Sequence, residues 1–356
     1  MERTLYLIRH GAVEGPRVCL GRTDLPLSRQ GRFQAGLLKL WFENRQPVTA
    51  LCSPLRRCVE TASVAFGSAK PMNGFAEIDM GEWDGLPFET IRTCWPELYR
   101  RRGEDMLHVF PPDGEAPENA LARFEKTLSD CLKNTEGDIA AVAHSGVMRL
   151  MLCKLSGRPL NTAFTLSQPH GCVNVLTLCR DGFHLETEAL RPMPVLDERA
   201  CLSLLKACGC DAELIAHCRA AAGQAAMLTG QLKAVGLALN GEAIQAAALL
   251  HDMARGLPSH AAEAGHWLSE AGYRALGKIV ARHHDWDGGV IDEAAVVYLA
   301  DKLVQGDRTV TLKERFTVSG EKCKTLEARV AHERRFRTAR ALLEQVEALC
   351  AEKGRH

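Results

Sequence analysis

Short apolar runs alternate with amphipathic segments through the first half of the 356-residue chain. Strands are predicted where the runs are short and β-forming, at residues 4–8, 49–52, 138–143, 173–178 and 184–190. Helices are predicted where apolar residues recur at helical spacing, at residues 28–41, 57–66 and from 117 to about 135. Strands that alternate with helices in this way indicate a layered α/β architecture.

The pattern changes near two prolines, Pro192 and Pro194, beyond which nearly every segment is helical in character. The helices predicted there cover residues 211–228, 241–255, 260–271, 272–284, 292–306 and 321–350. We therefore expect two domains, an α/β domain at residues 1–192 and an all-α domain at residues 198–350. Two domains of that size suit a chain of this length.

Composition is that of an ordinary soluble globular protein, with 25% charged and 46% hydrophobic residues. Lys plus Arg equals Asp plus Glu at 44 each, so no net field attracts the chain to nucleic acid or to a membrane. We find neither an apolar run long enough to span a bilayer nor a signal-peptide pattern. The 14 cysteines are scattered without a Cys-x-x-Cys pair, which is typical of reduced thiols. We expect a cytoplasmic protein.

Chemically reactive residues stand directly after predicted strands. An Arg-His-Gly motif centred on His10 ends the first strand, and His144 follows a later one. Because ligands of open α/β sheets bind beyond the carboxyl ends of strands, these histidines would meet if their strands were neighbours. Arg56 and Arg57 begin the helix that follows a third strand.

These residue types suit phosphoryl transfer through a covalent phosphohistidine. A neutral imidazole can act as the nucleophile, while nearby guanidinium groups lower its pKa and clamp phosphate oxygens. The reaction also needs a carboxylic acid that protonates the leaving oxygen. Glu77, Glu82 and Asp84 are the candidates for that acid. An Arg-His-Gly turn by itself is common, so the interpretation depends on the whole set.

The first 192 residues resemble the histidine phosphatases, the phosphoglycerate-mutase-like family. The resemblance rests on five motifs in the same order: LIRHG, GRTDLPLSRQGRFQA, SPLRRCVETA, AEIDMGEWDG and AHSG. It implies a three-layer α/β/α fold and a phosphatase that requires no metal or other cofactor. It further implies that His10 is the phosphoacceptor and that Glu77 is the proton donor.

The same resemblance assigns a phosphate pocket to Arg9, Arg57 and His144, with Arg57 rather than Arg56 at the family position. Arg22, in GRTD, and Glu82 are expected to contact the substrate. These assignments follow from the motifs and not from spacing alone.

Within the family, the compact length and the closing QPHGCVNVLTL segment resemble the α-ribazole phosphatases. Enzymes of that branch remove a phosphate from the lower-ligand nucleotide of cobalamin. Ala12 departs from the family pattern, because many relatives carry Glu or Gln after Arg-His-Gly, and this departure bears on the substrate. A phosphoglycerate-type mutase is the alternative, although the longer insertions of that branch are missing.

In the second half, histidines and aspartates stand among apolar helical residues. His217, the adjacent pair His251 and Asp252, and Asp301 each lie on a predicted helix with an apolar face. Ionisable groups on such faces are costly unless they are paired or bound to metal. Imidazoles together with carboxylates suit a divalent cation, which would acidify a bound water.

The order His, His-Asp, Asp over residues 200–310 resembles the HD superfamily of metal-dependent phosphohydrolases. By that resemblance the four residues are ligands of one metal, with Mn, Fe, Mg, Co and Ni left open. His260 and either His283 or His284 resemble the second-metal positions of binuclear members, with His266 as a competitor of His260.

We therefore expect a bifunctional phosphohydrolase that acts on small phosphorylated metabolites and nucleotides. The N-terminal activity would cleave a phosphomonoester resembling α-ribazole phosphate, and the C-terminal activity would be metal-dependent. In the alternative, the HD domain binds a nucleotide and regulates the phosphatase without hydrolysis. The sequence leaves the oligomeric state open.

Overall fold

The computed structural model describes residues 3–45, 49–179 and 182–353. The chain divides into two compact units, Met1–Pro194 and Val195–His356. Among the described residues, no helix combines the length and the hydrophobicity that crossing a bilayer requires.

A six-stranded mixed sheet forms the centre of the first unit, in the order β3-β2-β4-β1-β5-β6. Its strands are β1 (Arg3–Arg9), β2 (Thr49–Cys52), β3 (Lys70–Pro71), β4 (Ile139–Ala143), β5 (Val173–Cys179) and β6 (Gly182–Leu190). β1 pairs in parallel with β4, from Leu5 opposite Ile139 to Arg9 opposite Ala143. On its other side β1 pairs with β5 in antiparallel orientation. The five strands predicted from the sequence are all present.

Alternation of side chains along the strands builds one core on each face of the sheet. Leu5 and Leu7 belong to the core beneath the helices that follow β3 and β4, whereas Ile8 belongs to the opposite core. The helices are α1 (Arg29–Phe42), α2 (Arg56–Phe66), α3 (Phe88–Cys94), α4 (Pro96–Glu104), α5 (Pro117–Lys133) and α6 (Ser145–Leu155). Helices on both faces confirm the predicted α/β/α class, although the sequence pattern missed α3 and α4.

The second unit is almost entirely helical, as predicted. Its helices are α7 (Glu198–Ala207), α8 (Ala212–Ala234), α9 (Gly241–Leu250), α10 (His260–Glu270), α11 (Arg274–Ala281), α12 (Glu293–Lys302), α13 (Leu312–Gly320) and α14 (Leu326–Lys353). Several begin at a side-chain N-cap, since Asp211 accepts a hydrogen bond from the backbone of Leu214 and Asp292 from that of Ala295. A two-stranded hairpin, β7 (Val304–Gln305) and β8 (Arg308–Thr309), follows α12.

Four helix predictions for the second unit were wrong in their extent. The helix expected to end at residue 228 continues to Ala234. The helix expected to reach Arg255 ends at Leu250, so His251 and Asp252 lie in the turn after it. The turn tightens through bonds of the i→i+3 type, including Arg255 N to Asp252 O at 2.9 Å, while the stop signals lie later in the chain. The helix expected at 292–306 gives way to the hairpin. The helix expected at 321–350 begins at Leu326, after the unpredicted α13.

We expect the Phe124→Ala substitution to destabilise the first unit by about 3–5 kcal/mol, because it empties a fully buried site. Phe124 lies 5.0 Å, centroid to centroid, from Phe75 in the core on the α5 side of the sheet. Denaturant unfolding of the first unit measures the loss. Phe110→Ala is the control, since Phe110 is 37% exposed, and it should cost less than about 1 kcal/mol. Equal losses for both variants would contradict this core assignment.

Candidate active site and metal centre

The parallel pairing of β1 with β4 brings two histidines together at the carboxyl edge of the sheet. His10 follows β1 and its backbone N–H donates to the carbonyl oxygen of Ala143 at 3.1 Å. His144 follows β4, and the two imidazole centroids lie 5.1 Å apart. Both side chains are buried. The prediction that these histidines would meet is therefore confirmed.

His10 is oriented through one ring nitrogen. Its Nδ1 lies 2.7 Å from the carbonyl oxygen of Gly11, which can only accept a hydrogen bond, so Nδ1 carries the proton and Nε2 offers its lone pair. Burial, together with the neighbouring His144 and Arg9, holds the pKa of His10 well below its usual range. The imidazole is therefore neutral, as a nucleophile must be.

Arg57 is fully buried and is held on three sides. Its Nε donates to Nδ1 of His144 at 3.2 Å, and its terminal nitrogens donate to the carbonyl oxygens of Thr23 and Gly21 at 2.8 and 2.7 Å. His144 in turn places Nε2 2.7 Å from Oγ of Ser53. Guanidinium and imidazole are thereby fixed beside His10.

Asp84 shapes the loop on which Arg57 rests. Its carboxylate accepts backbone hydrogen bonds from Gly21, Arg22 and Thr23 at 2.9, 2.6 and 2.8 Å. These bonds tie the carboxylate of Asp84 to the loop whose carbonyl oxygens accept from Arg57.

Arg9 reaches the same edge of the sheet and contacts a third histidine. One terminal nitrogen donates to the carbonyl oxygen of Gln168, and the other lies 2.9 Å from Nε2 of His170. The His170 ring centroid is 5.5 Å from that of His10. Burial and the charge of Arg9 lower the pKa of His170 to about 3, so this ring is neutral too.

The side chain of Glu77 lies at the N-terminus of α6, the helix that begins directly after His144. Its carboxyl oxygens accept hydrogen bonds from the backbone of Gly146 and Val147 at 2.9 and 3.0 Å. Its backbone carbonyl accepts from Arg123 at 2.9 Å and from Arg22 at 2.8 Å. Two guanidinium groups therefore hold the main chain of this acidic residue in place.

A cavity of about 410 Å³ opens beside Glu77. Its walls are mainly apolar and aromatic, and they include Trp83, Tyr99 and Phe164 together with the cationic Arg149. The buried Nε atoms of Arg149 and of the Trp83 indole have no hydrogen-bond partner among the described residues. The cavity thus offers an apolar surface with unsatisfied hydrogen-bond donors next to Glu77.

In the second unit, three histidines are oriented alike. The Nδ1 atoms of His217, His251 and His283 lie 3.0, 2.7 and 2.7 Å from the carbonyl oxygens of Gly306, Ala248 and Val280. Each Nδ1 therefore donates to the backbone and each Nε2 is the ring nitrogen left to act as a ligand, which is the arrangement common among metal-binding histidines.

Two buried aspartates face these Nε2 atoms. His217 Nε2 is 3.2 Å from Asp301 Oδ1, and His251 Nε2 is 3.6 Å from one oxygen of each aspartate, Asp252 and Asp301. The ligand atoms of His217, His251 and Asp252 all lie within 4.8 Å of one another.

The donor set fits a divalent metal. His251 Nε2 is buried and has no hydrogen-bond partner among the described residues, although carboxylate oxygens surround it. Burial lowers the pKa of His251, but Asp252 and Asp301 outweigh this and raise it to about 8. A divalent cation between these side chains would bind both carboxylates and the unpartnered Nε2 of His251.

A second group shares Asp252 with the first. Asp252 Oδ1 lies 3.3 Å from His260 Nε2 and 3.5 Å from His283 Nε2, while Oδ2 faces His251. One carboxylate therefore stands between two sets of ligand atoms. His284 does not belong to this group of ligand atoms. Its ring centroid is 5.3 Å from that of His260, but its Nδ1 lies 3.4 Å from Asp285.

Comparison with known families assigns both halves of the chain. Residues 5–190 match the histidine phosphatase superfamily (branch 1), and residues 214–305 match the HD domain. The first match spans just over half of the chain. The protein belongs to the histidine phosphatase superfamily. It also carries an HD domain, and proteins with such domains are typically metal-dependent.

Curated relatives of the histidine phosphatase domain include enzymes with different names. The 6-phosphofructo-2-kinase/fructose-2,6-bisphosphatase of Caenorhabditis elegans is 28% identical over 45% of this chain and 36% of that protein. The adenosylcobalamin/alpha-ribazole phosphatase of Salmonella typhimurium is 26% identical over 50% of this chain and 92% of that protein. The chain thus spans about a third of the first relative and nearly all of the second.

Two solved structures have the same fold as the histidine phosphatase domain. Bacillus stearothermophilus YhfR superposes with a TM-score of 0.50 at 24% identity, over 52% of this chain and 96% of that one. A putative alpha-ribazole-5'-P phosphatase from Escherichia coli gives 0.50 at 23% identity, over 54% and 98%. At these identities the likeness concerns the fold alone.

The structure brings together most of the residues that were predicted for the two sites. In the histidine phosphatase domain, the residues brought together are His10, Arg9, Arg57, His144 and Glu77. Arg22 contacts the backbone of Glu77, whereas Glu82 lies exposed on a short turn and does not line the cavity beside Glu77. The structure therefore gives no support to the predicted substrate contact of Glu82.

In the HD domain, the predicted ligands His217, His251, Asp252 and Asp301 converge, and His260 joins them. The competitor His266 is exposed and lies 3.4 Å from Glu270 instead. Of the pair that the sequence left open, His283 faces Asp252 within the second group of ligand atoms, whereas His284 is not part of that group and faces Asp285.

Sequence reasoning missed three contributors. His170 stands in the QPHG segment that marks the family branch, but only the packing of β5 beside β1 brings it to Arg9. Ser53 follows β2 and binds His144. Lys302 is buried and donates to Asp301 Oδ2 at 2.6 Å. Ser53 opens the SPLRRCVETA motif and Lys302 directly follows Asp301, so their places in the sequence were a signal, whereas nothing local connects His170 with Arg9.

We expect the His10 ring to stay neutral and Nδ1-protonated as the pH falls through the ordinary histidine pKa of about 6.5. The physical reason is that burial and the cations beside it disfavour the charged ring. Long-range nitrogen–proton NMR correlations report tautomer and charge, and His10→Gln assigns the signal. Titration of the His10 ring near its ordinary pKa would contradict the electrostatic description of this site.

We expect Gly146→Ala to lower phosphate release by about tenfold or more while the chain stays folded. A Cβ at this position would lie 2.5 Å from Glu77 Oε1, so the carboxyl group must move, which it can do because it ends a flexible side chain. Steady-state kinetics and thermal unfolding measure the two effects. Gly223→Ala is the control, because a Cβ there meets nothing within 4 Å. Full activity in Gly146→Ala would argue against Glu77 as a positioned acid.

Proposed function

We propose that the histidine phosphatase domain hydrolyses a phosphomonoester through a phosphohistidine at His10. The observation that carries the proposal is the neutral, Nδ1-anchored ring of His10, with His144 5.1 Å away between ring centroids and Arg57 bonded to His144. A nucleophile with a lone pair among cationic and neutral donors suits a phosphoryl group, whose oxygens need those donors in the transition state.

The reaction proceeds in two displacements. His10 Nε2 attacks phosphorus, the N–P bond forms as the P–O bond to the alcohol breaks, and Glu77 gives its proton to the departing oxygen. Glu77 then takes a proton from water, whose oxygen attacks phosphorus and breaks the N–P bond. Phosphate leaves, and His10 and the protonated Glu77 are both restored.

We propose a substrate that resembles α-ribazole phosphate, a small metabolite with an aromatic base. The cavity beside Glu77 supports this class, because aromatic walls such as Trp83 and Tyr99 suit a flat ring. The relative from Salmonella typhimurium, of which this chain spans 92%, is named for such a substrate.

We propose a second, metal-dependent hydrolysis of a nucleotide or phosphate ester in the HD domain. His217, His251, Asp252 and Asp301 would hold one divalent cation, which supplies an acidified water and polarises a phosphoryl oxygen when bound. The protein's own part is to keep these ligands ready. Backbone carbonyls fix the imidazoles. Burial alone would raise the pKa of Asp301, but Lys302 and the imidazoles of His217 and His251 outweigh it and hold this pKa well below its usual range, so the carboxylate stays ionised.

Phosphate release from a panel of phosphomonoesters and nucleotides tests both proposals in the full chain. We expect His10→Ala to reduce a metal-independent activity by at least about 10³-fold and to leave the metal-dependent one. Asp252→Ala should do the reverse. Chelator treatment of the wild type should reproduce the Asp252→Ala result.

Loss of both activities in one variant would contradict two independent sites. Metal binding without any metal-dependent release would instead favour the regulatory alternative for the HD domain. A phosphorylated glycerate serves as a further substrate, because a mutase would return an isomer whereas a phosphatase liberates phosphate.

A further inference from the structure

The last two helices extend the HD domain beyond the part that matches its family. The match ends at residue 305, whereas α13 and α14 begin at Leu312 and Leu326. A cavity of about 170 Å³ lies between these helices and the predicted metal ligands. Its walls combine Asp252, His260, His283 and Asp301 with Arg315, Phe316, Ser319, His332 and Arg335 of the added helices.

Several contacts hold this helical wall in place. Arg335 of α14 donates to both oxygens of Asp285, at 2.8 and 3.1 Å, and its carbonyl accepts from the buried Tyr298 of α12 at 3.0 Å. Ser319 of α13 lies 2.8 Å from Nε2 of His332 in α14. The wall is therefore attached to the helix that carries Asp301 and is part of the site's architecture.

The cavity carries a surplus of positive charge. Four cationic side chains line it, namely Arg255, Lys302, Arg315 and Arg335, against the carboxylates of Asp252 and Asp301. Three of the four have an acidic partner. Arg255 binds Asp252 at 3.1 Å, Lys302 binds Asp301 at 2.6 Å, and Arg335 binds Asp285.

Arg315 differs from these three. No hydrogen bond or ion pair of its guanidinium exists within the described ranges of the chain, and its Nε is buried without a partner. Leaving a buried donor on a charged group unsatisfied is costly. An anion in the cavity would satisfy it, and a guanidinium fork matches phosphate oxygens well.

We propose that Arg315 binds a terminal phosphate of the HD-domain ligand and that α13 and α14 complete this site. The inference rests on the proposed metal-dependent function and narrows its ligand to a phosphomonoester dianion. The small cavity holds a phosphoryl group while the remainder of the molecule projects outward. A terminal phosphate, with two negative charges, suits the surplus of cations better than an internal phosphodiester with one.

Inorganic phosphate is the probe, applied to the full chain loaded with Mn²⁺ and freed of excess metal. Phosphate in the cavity broadens its ³¹P resonance through the adjacent paramagnetic ion, which distinguishes this site from the metal-independent phosphate pocket at His10. We expect Arg315→Gln to weaken this binding by about tenfold to a hundredfold, because one charge-assisted fork is lost. Metal content, measured by mass spectrometry, should stay at the wild-type level.

Two further variants separate binding from folding. Arg315→Lys keeps the charge but loses the fork, so its affinity should be intermediate. Arg337→Gln is the matched control on α14, because Arg337 is 77% exposed and pairs only with Glu333 among the described contacts. It should bind phosphate as the wild type does, and circular dichroism checks that all variants fold.

Wild-type phosphate affinity in Arg315→Gln with normal metal content would overturn the inference and leave metal-dependent hydrolysis untouched. If the wild type binds no Mn²⁺, the proposed metal-dependent function fails instead. Equilibrium dialysis of labelled phosphate against the metal-free proteins then decides: fewer sites in Arg315→Gln support the cavity, and equal numbers overturn it.

Discussion

The parallel pairing of β1 with β4 is the contact on which the histidine phosphatase site depends. Because the two strands run side by side and end together, His10 and His144 emerge at the same edge with their rings 5.1 Å apart. The turn after β4 starts α6, whose first backbone N–H groups hold Glu77. His10, His144 and Glu77 thus derive their positions from one strand pair.

Burial gives that site its chemistry. An imidazole in water would be partly protonated near neutral pH, but the buried ring of His10 beside Arg9 and Arg57 is held neutral. Arg57 tolerates full burial because the backbone carbonyl oxygens of Gly21 and Thr23 accept hydrogen bonds from its guanidinium group. The site is therefore cationic around a neutral nucleophile, an arrangement suited to an incoming dianion.

The HD domain meets a related constraint with the opposite sign. Two buried carboxylates, Asp252 and Asp301, face imidazole nitrogens whose other ring nitrogen is already committed to the backbone. Two buried carboxylates so close together destabilise the fold unless a positive charge compensates them, and a divalent cation supplies that charge. Around it, Lys302, Arg255 and Arg335 balance individual acids, which leaves Arg315 as the one lining cation whose partner must come from outside the described chain.

The five longer strands, most of the helices and most of the candidate site residues could be predicted from the amino-acid sequence, because hydrophobic periodicity and motifs such as Arg-His-Gly or His-Asp are local properties. The sequence could not place the end of α9 before His251, since Met253, Ala254 and Arg255 are good helix formers and the stop signals follow later. Three contacts became visible in the folded chain alone: His170 lies next to Arg9, Asp252 faces two groups of potential ligand atoms, and Arg315 lines a cavity beside them. Those contacts join residues far apart in the chain, and their formation depends on strand order and helix packing, which a one-dimensional pattern does not encode.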